Sequence, residues 1–220
     1  MFKIIKDIYK ELVDSSYFKN LFILTSGVGF SQIIPLLILP VLTRFFSPYD
    51  FGMLAIFLAI IQLIAISSTL RLEMAVVLPK KDTDAAILCI RSFFTLVLIS
   101  LFIGLIGLVA WNFIIKSSSD IVINSINITD WLRQKTHNSI YFPLLIYLIP
   151  VGAILLGLYN ILYSWNNRLE LYKNMSYSHI LHSVFSTPLA MGFYFSALNQ
   201  VGLILGQIIG RFLACWLLLS

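Results

Sequence analysis

Residues 93–115 read FFTLVLISLFIGLIGLVAWNFII, a run without Asp, Glu, Lys, Arg or His. A helix rises 1.5 Å per residue, so about 20 apolar residues cross a hydrocarbon core of about 30 Å. The run is continuous rather than alternating, which excludes a β-barrel strand. Working outward from it, comparable runs predict spans over 21–42, 51–70 (with a possible continuation to 78), 140–163, 177–198 and 201–219, beside 92–115 itself. The expected fold class is all-α, a polytopic bundle of about six transmembrane helices.

Composition agrees. Of 220 residues 59% are hydrophobic and 11% charged, with a mean hydropathy of +0.92. An ordinary soluble domain is about 25% charged. The first apolar run is too long for a signal-peptide core and reads as a retained span. Ahead of it, residues 1–20 alternate charges with Phe2, Ile5, Ile8, Tyr9, Leu12 and Val13. That spacing fits an amphipathic helix lying in the interface, and a plain cytoplasmic tail fits it as well.

Lysine and arginine set the orientation. With the N-terminus inside, the inner segments hold Lys3, Lys6, Lys10, Lys19, Lys80, Lys81, Arg91, Arg168 and Lys173, and the outer ones only Arg44, Lys116, Arg133 and Lys135. The net charge of +5 is therefore read as a topology signal and not as a nucleic-acid footprint.

No catalytic constellation is legible, so the chain is not expected to be an enzyme. The longest loop, 116–139, is too small for a catalytic domain, and the sequence offers no Ser/His/Asp set, carboxylate pair or phosphate-binding glycine loop. Cys89 and Cys215 lie in apolar segments without a CxxC, and His179 and His182 have no further ligand nearby, so neither metal nor cofactor is expected. The Asn127-Ile128-Thr129 sequon carries little weight.

The remaining signals concern bending, packing and buried polarity. Pro35 and Pro40 in the first span lack a backbone N–H and predict a kinked or partly unwound segment, either a hinge or a static bend. Gly202, Gly206 and Gly210 lie along one face of the last span and predict a close helix–helix approach. Charges at membrane depth cost about 2.5–3.5 kcal/mol at a helix centre, so Arg71, Glu73 and above all Arg211 call for a partner or a wet cavity. Arg71 also fits an interfacial arginine, and being two residues from Glu73 it should not pair with it. On the fifth span Tyr172, Ser176, His179, Ser183 and Ser186 or Thr187 form a stripe, read either as a water-lined surface or as interhelical hydrogen bonding.

Three stretches carry a resemblance: Phe30 to Pro35 with Leu39 to Gly52, which reads LPVLTRFFSPYDFG; Leu70 to Pro79, which reads LRLEMAVVLP; and Trp165, Arg168 and Tyr172. Together they resemble the polysaccharide transporter family, the Wzx-type lipid-linked oligosaccharide flippases of the multidrug/oligosaccharidyl-lipid/polysaccharide exporter superfamily. Members have two similar helical lobes around a central cavity. The resemblance implies that residues 21–220 form the N-terminal lobe of a partial transporter without its second lobe. It also implies a bacterial inner-membrane location, with polyprenyl-diphosphate-linked oligosaccharide as the substrate of a pathway such as O-antigen or lipopolysaccharide synthesis. Membrane lipids, a second lobe or second copy, and polysaccharide assembly proteins are the implied partners. Basic residues would then counter the diphosphate, with Arg71 and Arg211 in the translocation path and Arg44 at its outer mouth. His179 and Ser183 join them through the polar stripe, and Arg211 through depth alone. Glu73 is read as either an ion-coupling group or half of a structural ion pair. A multidrug-type exporter and a membrane-embedded glycan polymerase or ligase are the competing readings.

Overall fold

The structure, a computed structural model, describes residues 16–117, 141–195 and 201–220. The amphipathic segment expected up to residue 15 and the loop bearing Asn127, Arg133 and Lys135 lie outside them. The described residues form seven helices and no strand: α1 (Ser16–Phe45), α2 (Pro48–Thr69), the single turn α3 (Leu72–Ala75), α4 (Asp82–Ser117), α5 (Tyr141–Arg168), α6 (Tyr172–Tyr194) and α7 (Gly202–Leu219). This is an all-α membrane helix bundle. Five helices are long and apolar enough to cross a membrane: α1, α2, α4, α5 and α7.

The expected span over 177–198 is the exception. Its helix, α6, has 23 residues, enough to span, but Ser, His and Tyr at helical spacing lower its hydropathy below that of its neighbours. Packing holds it in the bundle instead. It runs parallel to α1, with Gly27 against Ser176 at one end and Phe45 against Tyr194 at the other, and antiparallel to α7. Ser176, Ser183, Ser186 and Thr187 of the stripe are buried and Tyr172 and His179 half-buried, so most of it is helix–helix interface.

Two other expectations change. α1 stays helical through Pro35 and Pro40, with no unwound segment. In hydrocarbon the surviving backbone bonds have no water to exchange with, so a lost N–H does not melt the helix. Both prolines are on the exposed side, away from α6. The second span does not continue to residue 78. Ser47 and Asp50 start α2 with a reciprocal capping box and Pro48 at its first position, which is what the Ser-Pro-Tyr-Asp stretch encodes locally. α2 then ends at Leu70 and Arg71, which both adopt left-handed backbone angles (φ 50° and 58°). α4 in turn begins ten residues ahead of the expected 92, with Asp82 and Asp84 in its first turn where the helix dipole favours them.

The core is one of small residues and backbone. Phe57, Ile61 and Ile64 of α2 pack on Ala153 of α5 and on Val201 and Ile204 at the start of α7. Gly152 receives Phe57 and Ile61, Gly157 receives Leu96 of α4, and Ser100 Oγ donates to the Pro150 carbonyl at 3.1 Å. The outer surface is apolar: Phe22, Leu37, Leu98 and Val109 are all about 70% exposed. The most extensive interface joins α6 and α7 through the predicted glycines. A methyl on Gly206 would overlap the Ser186 carbonyl oxygen and come within 3.0 Å of the Ala190 nitrogen, and one on Gly210 would lie 3.0 Å from the His182 carbonyl oxygen.

Because backbone atoms cannot swing aside, Gly206→Ala is expected to lower unfolding stability by about 1–3 kcal/mol. Gly192→Ala, which meets nothing within 4 Å, should be neutral. Unfolding in mixed micelles or by steric trapping would read the difference, and equal stability of the two variants would refute the interface.

Candidate functional site

Arg211 lies at mid-depth of α7, eight residues from its last residue, or about 12 Å of helix. The i, i+4 repeat puts Gln207, Arg211 and Cys215 on one face, and the structure turns that face toward α5 and α6. The guanidinium carbon sits 4.9 Å from the centre of the Tyr159 ring. A cation over a desolvated aromatic face gains about 2 kcal/mol, which offsets part of its burial. Tyr159 OH is 3.2 Å from Ser178 Oγ and 3.4 Å from His179 Nε2. His179 also stacks edge-on against Tyr163, with ring centres 5.5 Å apart. Gln207 lines the same small cavity as Arg211, and His182 Nε2 is buried without a partner.

The result is a polar knot between three helices: Tyr159 and Tyr163 from α5, Ser178, His179 and His182 from α6, and Gln207 and Arg211 from α7. Among the described residues Arg211 has no carboxylate partner. Beside it, bounded by Phe57, Ile61, Gly152 and Gln207, is a cavity of about 10 Å³, at the lower limit for a single water. Cys215 is a free thiol that donates to the Leu155 carbonyl at 3.6 Å, and Cys89 is also free. No group of three His, Cys, Asp or Glu is assembled among the described residues.

The other expected path residues are not brought to this knot. Arg44 is exposed in the last turn of α1, where it complements the helix dipole. Arg71 is exposed at the break after α2, with Nη1 3.8 Å from Met74 Sδ. Glu73 turns the other way and is 4% exposed, and no ion pair to it is formed among the described residues. Ser183 is buried on the face of α6 that packs in the bundle.

Sequence reasoning missed two sets of residues. Tyr159 and Tyr163 stand four apart on the fourth span, as Gln207 and Arg211 do on the last, and that shared spacing was the available signal. The second is Arg168, in the last turn of α5. Its Nε and Nη2 donate to Asp82 Oδ1 at 3.1 and 2.9 Å, and its Nη1 donates to the carbonyls of Val76 and Pro79 at 3.0 and 2.7 Å. One side chain thus ties the α3–α4 connection to the end of α5. Nearby, Asn166 Nδ2 donates to Leu218 O at 3.0 Å and fixes the end of α7.

Compared with protein-family models, curated proteins and solved structures, the chain matches none.

The two halves of the Arg168 clamp should separate on mutation. Asp82 is 79% exposed, so Asp82→Asn is expected to cost under about 1 kcal/mol. Arg168→Met also strips two carbonyls of their donor and should speed hydrogen exchange over 76–82 by about tenfold or more, as loss of about 1–3 kcal/mol of satisfied bonding does. Exchange that responds equally to both substitutions would mean that the carbonyl bonds contribute nothing.

Proposed function

We propose that this chain is one lobe of a flippase that carries polyprenyl-diphosphate-linked oligosaccharide from the cytoplasmic to the outer leaflet of a bacterial inner membrane. The observation that carries the reading is Arg211, a cation at membrane depth with no carboxylate partner among the described residues and with Tyr159 and Gln207 beside it and His179 on Tyr159. A diphosphate leaving water for hydrocarbon faces a large desolvation cost. A guanidinium presents paired donors that fit phosphate oxygens, and such charge-assisted bonds are about twice as strong as neutral ones. The sequence stretches from Phe30 to Gly52 and from Leu70 to Pro79 support the same family reading.

In this scheme the N-terminus is cytoplasmic, and a second lobe or a second copy closes the central cavity. Arg71, at the end of α2, meets the head group at the inner face, and Arg44 lies at the outer one. The small cavity beside Arg211 means that substrate enters only when helices shift. Pro35 and Pro40 in α1, Pro150 in α5 and Pro188 in α6 are the positions where a bend costs no further backbone hydrogen bond. The lipid tail stays in the bilayer throughout, and polysaccharide assembly proteins consume the product.

Binding of a fluorescent polyprenyl diphosphate to the chain in nanodiscs tests this. Arg211→Gln should weaken binding about tenfold or more, the loss of about 1.5–3 kcal/mol from a bond to a charged group. Tyr49→Phe, at the exposed start of α2, should leave it unchanged. Fused to a homologous second lobe, the chain should restore outer-leaflet oligosaccharide in a flippase-deficient strain. Tight binding of lipophilic cations with no response to diphosphate would overturn the reading in favour of a multidrug-type exporter.

A further inference from the structure

An apolar groove of about 290 Å³ runs between α4, α5 and α7, bounded by Ala86, Cys89 and Ile90, by Leu162 and Trp165, and by Leu219. Ile90 and Leu219 are 55% and 66% exposed, so the groove opens on the apolar outer surface. A pocket that encloses a whole small ligand measures about 300–1,000 Å³. This groove is just below that range and open, so it takes a stretch of one hydrocarbon chain and leaves the rest of a lipid in the bilayer. Trp165 is one turn of α5 inside Arg168, and tryptophan favours the boundary between headgroups and hydrocarbon.

Charges of both signs meet at the head of the groove. Asp82, Ala86 and Cys89 share one face of α4 at i, i+4 and i+7, with Asp82 about 6 Å of helix beyond Ala86. The ion pair from Arg168 to Asp82 joins α5 to α4 at that level. Both of its bonds end on Asp82 Oδ1, at 3.1 and 2.9 Å, and Asp82 is 79% exposed, so Oδ2 is open to a further donor. Lys80 and Lys81 directly precede it, are exposed, and form no ion pair among the described residues.

We propose that this groove binds a phospholipid whose headgroup carries a primary amine, that of the phosphoethanolamine class. One acyl chain lies in the groove, the ammonium donates to Asp82 Oδ2, and the phosphate is met by Lys80 and Lys81. An ammonium has three N–H donors, whereas the quaternary nitrogen of a choline headgroup has none. A net-negative headgroup would bring like charge to Asp82 and to the exposed Asp84. The bound lipid bridges the first turn of α4 and the end of α5, the same elements that the Arg168 clamp joins, and so adds to the stability of that junction. The site uses neither Arg211 nor the cavity beside it, and it stands whether or not the chain handles diphosphate lipids.

Fluorescence quenching tests the site. Trp165 lines the groove, and replacing the other three tryptophans (W111F, W131F and W216F) leaves it as the sole reporter. The protein is placed in phosphatidylcholine nanodiscs that contain a phosphoethanolamine lipid brominated in its acyl chains. Quenching is expected to half-saturate at a mole fraction about three- to fivefold lower than for the brominated choline lipid, the upper range for an exposed ion pair. Asp82→Asn should remove that preference, Asp84→Asn should keep it, and Ala86→Phe should block quenching by filling the groove. Equal half-saturation for the two headgroups overturns the proposal, as does an equal response to Asp82→Asn and Asp84→Asn, or quenching unchanged in folded Ala86→Phe. Should Ala86→Phe fail to fold, the two aspartate variants decide. Unbrominated polyprenyl diphosphate that relieves quenching at a lower mole fraction than the unbrominated phosphoethanolamine lipid would give the groove to the transported lipid and overturn the proposal too.

Discussion

The close approach of α6 and α7 is the interaction on which the rest of the bundle depends. Lipid tails are as apolar as leucine, so helices in a bilayer gain little from burying apolar faces and must associate through backbone proximity and polar contacts. Gly202, Gly206 and Gly210 provide that proximity, each seated on α6 backbone or Cβ atoms between His182 and Phe193. Once α7 is placed, α6 stays within the bundle despite its serines and histidines, and α1 is carried on its other side through Gly27 and Ser176. Phe45 and Phe46 then close the far end on Tyr194, with ring centres 5.2 and 5.4 Å away.

The same absence of water explains why hydroxyl residues sit inside the bundle while its surface is apolar. Ser68, Ser92, Ser100, Asn166, Ser178 and Ser186 are among its most buried residues, while phenylalanines and leucines cover the surface. Small hydroxyl residues can return their hydrogen bonds to the helix, as Ser178 does to Met175 O at 2.7 Å. A charged group has no such local outlet. Arg211 accordingly takes a tyrosine ring, Arg168 gathers carbonyls and a carboxylate, and Glu73 is left with an oxygen that nothing in the described protein satisfies. These three residues meet one problem in three ways.

Hydropathy made the fold class legible, because the bilayer acts on each segment separately and uncharged runs such as 93–115 need no partner to be recognised. Glycines at Gly202, Gly206 and Gly210 were equally plain, since their spacing is a property of one helix. The prolines misled only as to unwinding. Pro35 and Pro40 signal a lost bond in any helix, but whether the helix unwinds depends on whether water can replace that bond, and α1 remains helical. The reach of the second span was misjudged because nothing local in Leu70-Arg71 demands a left-handed turn, and the break follows from how α3 folds back on α4 and α5.

Candidate site residues divide along the same line. The position of Arg211 follows from one segment, so the sequence by itself determined that a charge lies within the last apolar run, as it determined the helices and the glycine face. Only the tertiary structure decided what surrounds that charge. Tyr159, His179 and Arg211 lie on three helices whose rotation about their axes is set by packing, and the levels of Phe57, Ile61 and Leu96 on α5 follow from registers fixed at Gly152 and Gly157. Periodicity shows which face of a helix is polar, and contacts between segments distant in the chain determine what that face meets.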